Sequence, residues 1–141
     1  MPHYANARIA QQLLDRLVEG CRAALPREAC GILLGDHDGS DLAVADLLFI
    51  PNAASTPRSA FFFEPAAWVA AAYAAQKSRQ AIVGFFHSHP DSPPLPSRSD
   101  RRGWHGYGSY WIVGFGSSAP EVRLFKLNGD GEWTAMTLTV R

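Results

Sequence analysis

The chain has 141 residues, 47% of them hydrophobic and 18% charged, which suits one domain with its own core and excludes a disordered composition. Thirteen basic residues balance thirteen acidic ones, so no broad positive field draws the protein to nucleic acid or to an anionic membrane. Arg98, Arg101 and Arg102 cluster locally, a pattern read as a solvated helix face.

The N-terminal stretch is broken by polar residues every few positions and lacks a signal-peptide core. No run is long enough to cross a bilayer, and a cytoplasmic location is expected. Ile9, Leu13, Leu14, Leu17, Val18 and Cys21 recur at helical spacing, predicting a helix that Pro26 ends. Cys30 to Gly35 reads as a buried strand, 36–41 as a turn and Leu42 to Ile50 as its hairpin partner. Two cysteines, Cys21 and Cys30, are too few for a disulfide framework, and Cys30 is expected as a small buried thiol.

A loop from Pro51 to Ala60 leads into a short strand, Phe61 to Phe63. Pro65 opens an alanine-rich helix over 66–76, with Trp68, Ala72 and Tyr73 as its inner face. Ala81 to Phe86 is a further buried strand that runs into His87-Ser-His-Pro. After a proline-rich loop, Ser97 to Asp100 opens a short polar helix. Strands follow at 110–115, 122–127 and 133–140. The expected architecture is α/β: a single domain over 1–141 with a mixed sheet flanked by helices.

His87 and His89 are two residues apart at a strand end, so both imidazoles leave the same face and can reach one ion. Pro90 ends the strand, and the loop 91–96 brings the chain round to Ser97 and Asp100. A carboxylate from there completes a two-histidine, one-carboxylate set that leaves a fourth tetrahedral position to water, as catalytic zinc sites do. Ser97 and Asp100 also fit the start of a helix, with Ser97 as its cap. His3, His37 and His105 carry no such pattern.

The segment HSHPDSPPLPSRSD resembles the motif of the JAMM (MPN+) metalloproteases, H-(S/T)-H-P followed by S-x-x-D, at every motif position. Upstream, Pro26-Arg-Glu28-Ala-Cys30-Gly-Ile-Leu-Leu-Gly35 resembles the stretch that carries the family's glutamate. The resemblance spans Pro26 to Asp100 and implies a JAMM/MPN fold of cytidine-deaminase-like type. It implies one Zn(2+) per chain on His87, His89 and Asp100, Glu28 as the general base for water, and Ser97 as oxyanion donor. Glu28 is not in the ligand set, which suits a residue that takes the proton of water and returns it to the departing amine.

Compact bacterial members of this kind resemble enzymes that process a ubiquitin-like or sulfur-carrier protein. The implied activity is hydrolysis of a peptide or isopeptide bond after a C-terminal Gly-Gly, with the 52–60 loop forming part of the groove. Two other functions stand beside it. One is a non-catalytic MPN-type binding module, which retention of all five motif residues disfavours. The other is a role in DNA metabolism, which the neutral charge disfavours.

Overall fold

The structure is a computed structural model describing residues 5–97 and 108–141. Along the chain these form β1 (Asn6–Ile9), α1 (Gln11–Ala24), β2 (Cys30–Asp38), β3 (Asp41–Ile50), α2 (Pro65–Lys77), β4 (Ala81–His89), β5 (Ser109–Gly114), β6 (Glu121–Leu127) and β7 (Trp133–Val140). Beyond Ser97, the expected polar helix at 97–100 lies outside the described residues, as do the arginine cluster, His3, His105 and Asp100.

The sheet is mixed, as expected, but closes on itself in the order β1-β3-β2-β4-β5-β6-β7. Closure depends on β1, which pairs in parallel with both β3 and β7. The helical spacing of Ile9 to Leu13 predicts Ile9 on the first helix. In the structure Ile9 ends β1 and is buried there, and α1 begins two residues later. The hairpin of β2 and β3 is antiparallel, and its strands run to Asp38 and from Asp41. The turn narrows to Gly39 and Ser40, with Gly39 in the left-handed region at φ 64°.

Two apolar clusters cover the two faces of the sheet. On one, Leu13, Leu17 and Cys21 of α1 pack with Leu33, Phe86 and Trp111. On the other, Ala71 and Ala75 of α2 pack with Cys30, Phe85, Tyr110 and Ile112. Strands covered on both faces need no polar alternation, which is why β4 and β5 are buried almost end to end.

The inner face of α2 departs from expectation. Trp68 faces inward against Phe63 and Phe85, but Tyr73 is 66% exposed and Ala72 half-buried, while Ala71 and Ala75 are buried. A helix made largely of alanine offers no hydrophobic contrast from which to choose a face. Glu64 caps this helix, its carboxylate accepting from the N–H groups of Ala66 and Ala67. Phe61 to Phe63 forms only a single bridge, Phe63 to Asn52. Among the described residues no helix is long and apolar enough to cross a membrane.

Candidate metal and catalytic site

The central pair of strands, β2 and β4, decides which side chains meet. In the antiparallel register Cys30 lies opposite His87 and Gly31 opposite Phe86. A register shift between Leu33 and Leu34 leaves Val83 as an extra residue on β4. From there onward Phe85, His87 and His89 alternate onto the face that carries Cys30. The Cys30–His87 pairing continues outward through Ala29 and Ser88, whose backbones remain bonded (Ser88 N–H to Ala29 O, 3.0 Å). The next step sets Glu28 across from His89, with its side chain on the histidines' face.

His87 and His89 converge. Their Nε2 atoms are 3.0 Å apart, and the two residues are 0% and 7% exposed. Two nitrogens each bound to one tetrahedral zinc at about 2.0–2.1 Å would be about 3.3–3.4 Å apart, so this spacing is within a few tenths of an ångström of what such an ion needs. His89 Nδ1 lies 2.8 Å from Pro93 O. A carbonyl only accepts, so this nitrogen carries the proton and Nε2 presents its lone pair. The His87 ring stacks on Phe61, centroids 4.6 Å apart, and packs against Tyr110 at 5.2 Å.

Glu28 is 6% exposed, and two hydrogen bonds of its backbone to the 51–64 loop, with a third from Ala29, fix its position. Its N–H donates to Pro57 O at 2.7 Å, and its carbonyl accepts from Asn52 Nδ2 at 3.0 Å. The next residue, Ala29, donates to Ser88 Oγ at 2.8 Å. Ser88, between the two histidines, faces the α1 side and couples the strand carrying the histidines to the segment carrying the glutamate. Beside Glu28 opens a cleft of about 400 Å³ lined by residues including Gly20, Ala24, Arg27, Phe49 and Asn52.

Cys30 borders the same region, but its thiol donates to Ile50 O. Burial first, then the charge of Glu28 and the neighbouring Cys21, pushes its pKa up to about 12. Cys21 is likewise raised to about 12 by burial, partly offset by a hydrogen bond with Ser88. Neither thiol is a candidate nucleophile at neutral pH.

Asn52 is the residue whose importance the sequence only hinted at. Its amide makes four hydrogen bonds: Nδ2 donates to Glu28 O and Ala60 O, and Oδ1 accepts from Ala54 N–H and Phe62 N–H. It thereby closes the 51–64 loop and ties it to Glu28 while Phe61 of the same loop reaches His87. Asn52→Ala should cost about 2–4 kcal/mol of stability, since several backbone groups lose partners together. Urea unfolding of wild type and variant measures this, and a loss below about 0.5 kcal/mol would remove Asn52 from its bracing role.

Ser97 is exposed, at the end of the loop that leaves β4, and Asp100 lies outside the described residues. Among the described residues no group of three or more His, Cys, Asp or Glu side chains is arranged to hold a metal, so His87 and His89 stand as two of the three expected ligands.

The chain is similar to several known proteins. The family described as prokaryotic homologs of the JAB domain matches residues 10–128. A desampylase of Haloferax volcanii is 37% identical over 105 residues, 73% of either chain. A desampylase of Pyrococcus furiosus is 31% identical, over 61% of this chain and 58% of its own length. A probable TtuB-protein conjugate cleaving protease of Thermus thermophilus is also 31% identical, over 60% and 56%. Among solved structures, a Desulfitobacterium hafniense protein superimposes with a TM-score of 0.85 at 28% identity, over 96% of this chain and 92% of its own. A Salinibacter ruber protein gives 0.70 at 27%, over 96% and 91%.

Proposed function

For a chain that belongs to the family of prokaryotic JAB-domain homologs, we propose a zinc-dependent peptidase or isopeptidase that releases a small ubiquitin-like or sulfur-carrier protein after its C-terminal Gly-Gly. The observation that carries this reading is the convergence of the His87 and His89 Nε2 atoms beside a buried Glu28 on the same sheet face. One domain over 1–141, with the deaminase-like wrapping implied by the motif, is part of the proposal.

His87, His89 and Asp100 would hold the metal. Zinc, when bound, lowers the pKa of water to about 7 and polarises a carbonyl. Glu28 takes the proton as water adds to the scissile carbon, and gives it to the amine nitrogen as the C–N bond breaks. Ser97 donates its hydroxyl to the oxyanion. His89 would offer its Nε2 lone pair to the metal, because Pro93 O holds the proton on its other nitrogen.

The substrate class is supported by the relatives, one of which is named for cleaving protein conjugates. The braced 51–64 loop, which reaches His87 through Phe61, would form one wall of the groove for an extended diglycine tail.

If a folded carrier contributes binding energy away from the zinc, a carrier with a C-terminal extension should lose its extension after Gly-Gly at least tenfold faster than a peptide with the same tail. Intact-mass spectrometry over time measures both. Equal rates on the two would replace this reading with a general small-peptide hydrolase.

A further inference from the structure

We propose that Gly114 and Gly116 are positioning residues: they form a seat without side chains that holds the loop after β4 so that the Pro93 carbonyl fixes the His89 imidazole. The inference rests on the zinc reading above and extends it to the strand that runs alongside.

Gly114 ends β5 and pairs directly with His89 in the parallel register of β4 and β5. Phe115 N–H then donates to His89 O at 2.9 Å, so the two strands stay joined past the second histidine. The loop doubles back over this junction. A Cβ on Gly114 would fall 2.7 Å from Pro94 N and Pro94 Cδ, and 3.0 Å from Ser92 O. A Cβ on Gly116 would fall 2.7 Å from Ser92 C and 3.0 Å from Ser92 Cα. These are mainly backbone atoms and a proline ring, which cannot swing aside as a flexible side chain can.

Neither glycine has the left-handed backbone found at Gly39, Gly108 and Gly131. What requires glycine at 114 and 116 is space and not φ. Between the two contacts sits Pro93, whose carbonyl accepts from both His89 Nδ1 and Leu95 N–H, each at 2.8 Å. With two donors its direction is set, and the loop position fixes it in turn. Relieving contacts of 2.7 Å requires the loop to move by roughly half an ångström or more at either end, enough to carry that carbonyl beyond hydrogen-bond reach of the imidazole, which would lose the partner that selects its tautomer.

The test uses Gly114→Ala and Gly116→Ala in the full chain, with Gly129→Ala as a control whose new methyl meets nothing within 4 Å. Two quantities are measured: zinc affinity by competition with a chelator, and the His89 tautomer in zinc-free protein by long-range nitrogen–proton correlation NMR. The wild type should carry the proton on Nδ1. Both alanine variants should show a shift toward the Nε2-protonated form and bind zinc at least tenfold more weakly, with the control unchanged.

Folded alanine variants with wild-type tautomer and zinc affinity would overturn the proposal. Should Gly114→Ala fail to fold, Gly116→Ala decides alone. A wild-type His89 protonated on Nε2 would overturn it whatever the variants do. A wild type that binds no zinc would instead defeat the underlying zinc reading, and the tautomer measurement would still judge the seat.

Discussion

Glu28→Gln should lower turnover about 100- to 10,000-fold, the range that positioned acid–base groups contribute, while the protein still binds one zinc per chain. Glutamine keeps the volume of a side chain that is only 6% exposed, so packing against its neighbours survives. The bonds its backbone makes, to Pro57 O and from Asn52 Nδ2, do not involve the carboxylate and are also retained. What disappears is the capacity to accept a proton from water and return it to the leaving amine. Glu28→Ala tests the same role with the side chain removed. Rates and metal content measured on one preparation separate the cases. Loss of zinc together with activity would make Glu28 a ligand, and activity within a few-fold of wild type would remove it from the mechanism.

The second large effect is expected at the histidines. His87→Ala combined with His89→Ala removes two of three proposed ligands, and zinc content should fall from one per chain to less than about a tenth, with no measurable cleavage. His87 is fully buried against Phe61 and Tyr110, so its truncation also leaves a void in the core. The single variant His89→Ala leaves His87 in place against Phe61 and Tyr110 and should still weaken zinc binding strongly. Metal analysis beside circular dichroism distinguishes a lost ligand from a lost fold. Unchanged zinc in a folded double variant would refute the ligand assignment.

The parts of the site that follow from short-range geometry were legible in the sequence. Alternation along a strand puts residues 87 and 89 on one face whatever the sheet does elsewhere, and Pro90 marks where β4 ends. That Glu28 comes level with His89 could be suggested only by motif resemblance. It depends on the register of β2 against β4 and on the extra residue at Val83, and neither leaves a local signal.

Closure of the sheet was illegible for a related reason. Asn6–Ile9 is too short to show alternation, and its partners β3 and β7 lie far along the chain. Tyr73 was misplaced because the alanines around it give no amphipathic contrast. The bracing by Asn52 was hidden because a Pro-Asn pair reads as an ordinary loop, and nothing in it shows that four backbone groups converge on one amide. The glycines at 114 and 116 likewise look like strand-end punctuation until the loop from 92 to 94 is seen lying across them.

Dependence of hydrolysis on zinc held by His87 and His89 is tested most directly by stepwise restoration. The protein is stripped with chelator, titrated with zinc, and assayed at each step on a carrier protein bearing an extension after Gly-Gly. Cleavage should be negligible without metal, and the rate should climb linearly to a plateau at one zinc per chain. Full activity in the stripped protein would contradict it, as would a zinc-saturated protein that leaves the extended carrier intact.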